Sequence, residues 1–406
     1  MIVQDLDLNY IASSRGWDVA PMWSIARRVD RKGYPDAELL SVYRDYGVIR
    51  KSDRDDNHNV ESEDLSNYKY VKVGDLVLNK MKTWQGSLGV SAYDGIVSPA
   101  YFTCELNSAV YGPYIHYLLR SMPYIAMYGA LSKGIRVGQW DLPYEEFRDI
   151  PVLLPPLEEQ RRIADYLDTA TNNIDATRSQ ILRLVELLDE YFSNQLAAVF
   201  ASSNRTTTPL RRLVKLVNGG TPDPSEDNWM GKVPWATPVD LGRANGKIIS
   251  ETDRMLTEKG LLTGSRLIPA NSLIISTRAP IGYIAINTLP MAFNQGCKGA
   301  VINSDVDIYY LQFALLSKVA ELQSLGTGST FMELSNDALK NISVPRRENL
   351  LEEKEVTLFI SKLQMEVQRR KELLAIEIEL LYEYKTSLIT AAVTGTFDVT
   401  TGRSVA

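Results

Sequence analysis

Apolar residues in this chain follow two patterns, and the longer one predicts its principal helices. From Leu157 to Phe200, the residues Ile163, Leu167, Ala170, Ile174, Thr177, Ile181, Leu184, Leu188 and Tyr191 recur at spacings of four and three. A sustained 3.5-residue period with charge on the other faces marks a coiled-coil strand. Pro155-Pro156 stops any helix from running in upstream, and Glu158 and Glu159 suit the positive end of the helix dipole. At about 1.5 Å per residue such a helix is roughly 65 Å long. It cannot cover its own seam, so it needs a partner. Leu351–Val393 supplies one, with a seam through Val356, Ile360, Leu363, Val367, Arg370, Leu374, Glu377, Leu381, Tyr384, Leu388 and Ala391. Arg370 and Glu377 interrupt the apolar rule, as polar residues that fix register do.

The shorter pattern predicts strands. Leu76–Lys80, Leu88–Ala92, Leu273–Thr277 and Ile281–Ile286 are β-branched or alternating runs bounded by Gly and Pro. Pro113–Ser121 and Ile308–Gln323 read as helices. Turn chemistry is dense at Asn218-Gly219-Gly220-Thr221-Pro222 and at Gly326-Thr327-Gly328-Ser329-Thr330. The globular parts are therefore mixed α/β (α+β).

These elements occur twice. Gly74-Asp75-Leu76-Val77-Leu78 aligns with Ala270-Asn271-Ser272-Leu273-Ile274 at an offset of 196, which also pairs Gly86 with Gly282 and Tyr114 with Tyr310. Further on, Phe147-Arg148-Asp149-Ile150 meets Leu339-Lys340-Asn341-Ile342, and Ala197-Ala198-Val199 meets Ala391-Ala392-Val393. A repeat of this length sets the architecture. It reads as two similar globular domains and two long helices that pair as an antiparallel coiled coil.

Composition alters little. Hydrophobic residues make up 45% of 406, a globular figure, and no apolar run reaches membrane-spanning length. Cys104 and Cys297 form no CxxC, and only two histidines are present, so a reduced, cytoplasmic protein without a metal site is expected. The net charge of −6 argues against nucleic acid when taken alone. Residues 151–200, however, carry eight acidic and four basic side chains, so much of the acidity lies on the first long helix. Whole-chain charge is then a weak argument against a DNA-binding face.

Several motifs together resemble one family. Asn218-Gly219-Gly220-Thr221-Pro222, followed by Val233-Pro234-Trp235-Ala236-Thr237-Pro238-Val239-Asp240-Leu241, is similar to the opening of a target recognition domain. Gly328-Ser329-Thr330, Glu333-Leu334-Ser335 and Leu339–Ile342 are similar to its close. Leu154-Pro155-Pro156-Leu157-Glu158-Glu159-Gln160 resembles the entry to a central conserved helix, and Ala391-Ala392-Val393-Thr394-Gly395 the end of a second. The chain thus resembles, over essentially its whole length, the specificity subunits of type I restriction-modification systems. The first domain departs by lacking the GGTP and PWxTPxDL openings, and Arg346-Arg347-Glu348 replaces the second Pro-Pro-Leu. The resemblance divides the chain into a first target recognition domain (1–151), a central helix (152–201), a second domain (202–345), a C-terminal helix (346–395) and a tail (396–406). It implies a non-catalytic reader of double-stranded DNA, with each domain reading half of a bipartite asymmetric site. The helices would act as spacer and as docking surface for DNA methyltransferase subunits. S-adenosylmethionine, ATP and Mg would sit on partner subunits, one of them a restriction helicase-nuclease, and no cofactor would be bound by this chain.

Candidate DNA contacts follow from residue type and position. Lys80, Lys82, Trp84 and Gln85 follow a predicted strand, and Thr277 and Arg278 follow its counterpart. Asn294, Gln295 and Lys298 form a polar cluster, with Ser98 the counterpart of Asn294. Lys or Arg can bond guanine, and Asn or Gln adenine, in the major groove. The loop with Lys133 and Arg136, and the one with Ser329 and Thr330, would face phosphate through cations or backbone NH groups, and Thr221 is a further candidate contact. Trp235 and Trp140 read as packing residues. Gly242–Lys247 is too short for a phosphate-binding loop and Ile248 stands where Ser or Thr would meet magnesium, so it reads as a turn. Other classes carried alongside are a coiled-coil adaptor that binds only proteins, a methyltransferase or nuclease with an unrecognised site, and the specificity module of a related single-chain or type II system.

Overall fold

A computed structural model describes residues 8–54, 64–134, 140–201, 206–328 and 332–405. The two long helices run Leu157–Phe200 and Leu350–Val393, 44 residues each. The first begins directly after Pro155-Pro156, with Pro156 O accepting from Glu159 N at 2.8 Å and Gln160 N at 3.0 Å. At the second, the Asn349 side chain accepts from Glu352 N at 3.1 Å, satisfying one of the orphan donors of a helix start.

The chain forms two compact units, 1–181 with 376–406 and 182–375. Each unit therefore holds the start of one long helix and the end of the other. Within the first unit Lys385 Nζ bonds both carboxylate oxygens of Asp175 at 2.8 and 2.7 Å. Within the second, Lys371 Nζ bonds both oxygens of Asp189 at 2.8 Å. Fourteen residues forward on one helix, 175 to 189, correspond to fourteen back on the other, 385 to 371. Both pairings are antiparallel, in one register, two heptads apart.

Ile163, Leu167, Ile174 and Ile181 of the first helix are buried, as are Ile360 and Val367 of the second, while Leu188, Val356, Leu363, Leu374 and Leu381 are half-buried. The seam differs from the expected one in phase. Leu184 is 45% exposed and Tyr191 48%, and half-buried Val185 and Phe192 take their places. On the second helix Arg370, Glu377 and Tyr384 are exposed, and Lys371, Ile378 and Lys385 lie on the seam instead. A step of three followed by four satisfies the period as well as four followed by three. Where both candidate positions are long side chains, the partner decides. The polar seam residues are thus Lys371 and Lys385, each with a carboxylate of the other helix.

The first unit contains an antiparallel sheet in the order Ala26–Val29, Tyr101–Leu106, Leu76–Asn79, Leu88–Val90. Helices Gly112–Leu119 and Met122–Leu131 pack on it, burying Tyr114, Leu118, Tyr124 and Tyr128 in a core that also takes Ile163, Leu167, Leu388 and Val393 from the long helices. A hairpin pairs Leu40–Tyr43 with Gly47–Arg50. Its turn needs glycine, because Gly47 has φ +73° and a Cβ there would lie 2.6 Å from Arg120 Nη1.

The second unit has a five-stranded sheet ordered Val214–Asn218, Cys297–Ile302, Leu273–Ser276, Ile284–Asn287, Ile248–Ile249, and a four-stranded one that includes Trp229–Ala236. The mixed α/β expectation holds, with the strands of the second domain gathered into larger sheets than those of the first. The expected helix Ile308–Gln323 is two helices, Ile308–Leu316 and Val319–Ser324. Trp235 is buried, as expected of a packing residue. Residues 244–247 form a turn after helix Pro238–Arg243, with Gly246 N donating to Ile284 O at 2.9 Å. No helix among the described residues is long and apolar enough to cross a membrane.

The repeat persists in detail. Each domain is closed by a two-stranded antiparallel staple, Asp18–Pro21 with Pro151–Leu154 and Thr207–Pro209 with Ser343–Pro345. Each long helix then sends one buried polar side chain to the head of a domain helix. Gln160 Oε1 accepts from Tyr111 N at 2.7 Å, and Glu353 Oε2 from Asp307 N at 3.1 Å. Glu353 brings a charge that Gln160 does not, and Arg346 Nε meets it at 2.5 Å. Arg346 belongs to the tripeptide that replaced Pro-Pro-Leu, so that departure supplies the counter-ion. Glu353→Ala, which strands Arg346 at a mostly buried site, should lower unfolding stability by about 3–5 kcal/mol in denaturant titration. Gln160→Ala, which removes no charge, should cost only about 1–3 kcal/mol.

Candidate nucleic-acid interface

In the second domain the candidate residues converge on one sheet edge. The strand register pairs Asn218 with Lys298 and Ser276 with Cys297, which brings the ends of three neighbouring strands together. Asn294 Nδ2 donates to Thr221 Oγ1 at 3.2 Å, and Asn294 Oδ1 accepts from Gly296 N at 2.7 Å. Arg278 passes close to Gly296, where a Cβ would sit 3.4 Å from Arg278 Cδ. Its Nε donates to Glu333 Oε2 at 3.1 Å. Thr221 and Gln295 are exposed, and Asn294 is half-buried. This edge offers hydroxyl, amide and guanidinium groups within one small area, the mixture that reads base edges.

Two expected contacts play other parts. Thr277 is fully buried: its backbone N and its Oγ1 both donate to Gly296 O, at 2.8 and 3.2 Å. It faces the protein because the next residue, Arg278, turns outward, and it clasps the Asn294–Gly296 turn. Lys298 is only 9% exposed, and its Nζ donates to Asn218 Oδ1 at 3.1 Å. Burial pulls its pKa below the usual lysine value. It braces the edge from behind.

The first domain presents a different edge. After Leu76–Asn79 the chain turns through a short 3-10 segment, Thr83–Gln85. Trp84 Nε1 donates to Met81 O at 3.0 Å, its ring lies 4.9 Å from that of Trp140, and Lys82 and Gln85 are exposed. Trp140 therefore packs, as expected, and does so against Trp84 within this edge. Lys80 Nζ meets Asp141 at 2.9 Å, and Lys133 meets Glu146 at 2.6 Å. Ser98 accepts from Ala100 N at 3.4 Å in the turn leading to Tyr101, which pairs with Asn79, so it lies near the same edge. Arg136, Ser329 and Thr330 lie outside the described residues.

Residue type and strand position had not singled out the hairpin next to this edge. Arg54 stacks over Tyr43 at 5.0 Å and Tyr46 at 5.1 Å, and Arg50 over Tyr93 at 4.8 Å. The hairpin adjoins the Trp84 turn, since a Cβ on Gly86 would be 3.7 Å from Arg44 Cγ. The segment Tyr43-Arg44-Asp45-Tyr46-Gly47 between two short apolar runs was the available signal. The second domain has a stack of its own, exposed Arg254 over Trp229 at 3.5 Å. Interleaved arginine and aromatic faces suit nucleotides. Cys104 and Cys297 are buried and free, with both thiols pushed up to about 12 by burial, so neither acts as a nucleophile. Among the described residues no cluster of His, Cys, Asp and Glu is placed to hold a metal ion.

Known proteins carry the same pattern. The sequence model of the family described as type I restriction modification DNA specificity domain matches residues 16–187 and 204–346. The type I restriction enzyme MjaIX specificity subunit of Methanocaldococcus jannaschii is 33% identical over 140 residues, 34% of this chain and 32% of that protein. The chain thus spans about a third of that relative's length. The type I restriction enzyme EcoR124I/EcoR124II specificity subunit of Escherichia coli is 25% identical over 304 residues, covering 71% of this chain and 72% of the other. Among solved structures, one from work on complex assembly and conformational transition of the type I R-M system aligns with a TM-score of 0.71 at 16% identity, covering 93% of this chain and 97% of its own. The crystal structure of the HsdS subunit from Thermoanaerobacter tengcongensis aligns with a TM-score of 0.53, also at 16% identity, over 94% and 97%. Truncating Trp84 to Ala should weaken binding of any duplex about 10-fold, a cost of about 1.4 kcal/mol, through loss of the ring's packing against the backbone and base edges. Fluorescence anisotropy with unrelated duplexes measures it.

Proposed function

The chain belongs to the type I restriction-modification DNA specificity family and is a DNA sequence-specificity subunit, and from that premise we propose that its two domains read the two halves of a bipartite, asymmetric site in double-stranded DNA. The observation that carries this reading is one repeated scaffold with two different edges. Lys80, Lys82, Trp84 and Gln85 line one, and Thr221, Arg278, Asn294 and Gln295 line the other. Different donors and acceptors on one framework select different bases, so the halves are not alike.

The long helices set the distance between the halves. In each unit an ion pair ties one long helix to the other, Asp175–Lys385 in the first and Asp189–Lys371 in the second, and a paired helix suits a spacer. Half-sites about one turn of the duplex apart fit such a device. DNA methyltransferase subunits dock on the same helices. Beyond their acidic outer face, these carry apolar residues off the seam: Leu184, Leu187 and Tyr191 on the first, and Leu373, Ile376 and Leu380 on the second. Exposed apolar stripes at helical spacing suit helix-on-helix contacts. Catalysis resides in partners, with S-adenosylmethionine on the modification subunit and ATP and Mg on a restriction subunit.

Co-expression with the partner methyltransferase, followed by methylation mapping, should return a bipartite asymmetric motif. A continuous or palindromic motif overturns the reading. Removing one heptad from both helices shortens each by about 10 Å, and should reduce the mapped gap by whole base pairs, about three at most. An unchanged gap means the helices are not the spacer. Leu187→Glu combined with Leu380→Glu should abolish co-purification of the methyltransferase while leaving the thermal midpoint of the isolated chain within a few degrees.

A further inference from the structure

In both domains a cation of the candidate edge is held by a carboxylate at an equivalent place. In the first, Lys133 and Asp141 exchange backbone bonds of 2.9 Å, Leu142 N donates to Lys80 O at 3.0 Å, and the Asp141 side chain meets Lys80 Nζ at 2.9 Å. In the second, Thr327 and Glu333 exchange backbone bonds of 3.1 and 3.0 Å, Leu334 N donates to Thr277 O at 2.7 Å, and the Glu333 side chain meets Arg278 Nε at 3.1 Å. Asp141 and Glu333 are 192 positions apart, the offset at which Phe147–Ile150 meets Leu339–Ile342. Their residue types differ, and the cation shifts by one position relative to the backbone bond, yet the ion pair is present in both copies.

Stability does not account for it. The side chains are 39% and 42% exposed in one pair, and 42% and 40% in the other. Ion pairs as open as these contribute little to folding, and less still in salt. On a surface that meets a polyanion, a carboxylate also repels the ligand. What it does do is occupy the cation. A phosphate that approaches at random must displace a good counter-ion to bind Arg278. A guanine edge offering two acceptors in the right plane returns more than the pair loses.

We propose that Asp141 and Glu333 are specificity-determining counter-ions: each carboxylate holds the reading cation of its domain until a matched half-site displaces it, which suppresses binding to unmatched DNA. The proposal rests on the DNA-reading function stated above. The test uses the specificity subunit in complex with its methyltransferase, on a duplex bearing the mapped site and on one with the second half scrambled. Glu333→Gln keeps the shape and the backbone bonds while removing the charge. It should tighten binding to the scrambled duplex roughly tenfold, with a much smaller gain on the matched one, and make the log–log salt slope on scrambled DNA steeper by about 0.9, the increment for one phosphate contact. Arg278→Gln with Glu333→Gln should behave as Arg278→Gln alone. Asp141→Asn, assayed on a duplex scrambled in the first half, repeats the experiment independently in the other domain.

An unchanged ratio of matched to scrambled binding in both carboxylate variants overturns the proposal, as does an equal gain on both duplexes. It also fails if the double variant gains as much as Glu333→Gln, because the gain then comes from lost repulsion rather than from freeing Arg278. A wild-type complex that does not distinguish the duplexes overturns the DNA-reading function itself, an outcome separate from the others.

Discussion

A helix of 44 residues with a continuous apolar seam cannot be satisfied by its own sequence, and this chain has two of them. The antiparallel pairing that covers both seams constrains everything else. It makes each compact unit discontinuous, built from the start of one helix and the end of the other. It places Lys371 and Lys385 on the seam, where a carboxylate of the partner helix compensates each of them. An apolar seam alone tolerates sliding by a heptad. Two ion pairs in one register do not. A slip of seven residues one way sets Lys371 opposite Leu196 and Lys385 opposite Leu182, leaving both cations unpaired. A slip the other way gives Lys385 an acid, Asp168, but leaves Lys371 facing Leu182. Neither alternative satisfies both lysines.

The ends of the helices depend on the same economy of polar groups. Gln160 and Glu353 each reach from the first turn of a long helix to the backbone of a domain helix. That one bond fixes where the rigid element leaves the globular one, and the two-stranded staples fix the chain on either side of it. Replacing an amide by a carboxylate at a buried site requires a cation, and Arg346 supplies it. The two copies have thus diverged in pairs of residues, keeping the connection while exchanging its chemistry.

The same logic explains which parts of the molecule the sequence disclosed. Long helices were legible to within a residue because a 3.5 period sustained over 44 residues has no competing explanation. The phase of the seam was not, since Leu184 stands beside Val185, and only the partner helix distinguishes them. Arg370 and Glu377 were placed on the seam by the same degeneracy. Of the strands, only Leu76–Lys80, Leu88–Ala92, Leu273–Thr277 and Ile281–Ile286 were located; Ala26–Val29 and Tyr101–Leu106 were missed, and that they pair could not be read because they lie far apart in sequence. At the candidate edge residue type pointed to Arg278 and Asn294 but could not show that Thr277, one position away, faces inward. Glu333 stood out only as part of the Glu333-Leu334-Ser335 motif, and Asp141 not at all. Their role depends on which cation each one meets, and that is a matter of three dimensions.

Charge along the candidate edges bears on how such a chain can bind DNA. Lys80, Lys133 and Arg278 are engaged by carboxylates, and Lys298 is buried against Asn218. Under the proposed function, cations engaged in this way would offer less to a phosphate backbone that approaches without the matched bases. What remains is short-range chemistry: the amide of Asn294, the hydroxyl of Thr221, the Trp84 ring, and arginines stacked on tyrosine and tryptophan. These groups gain only when geometry is right. Under the proposed function, a reader so arranged would take its general hold on the duplex from proteins bound to its helices and would contribute discrimination itself. That division would assign the acidic, apolar-striped helices to protein and the sheet edges to DNA.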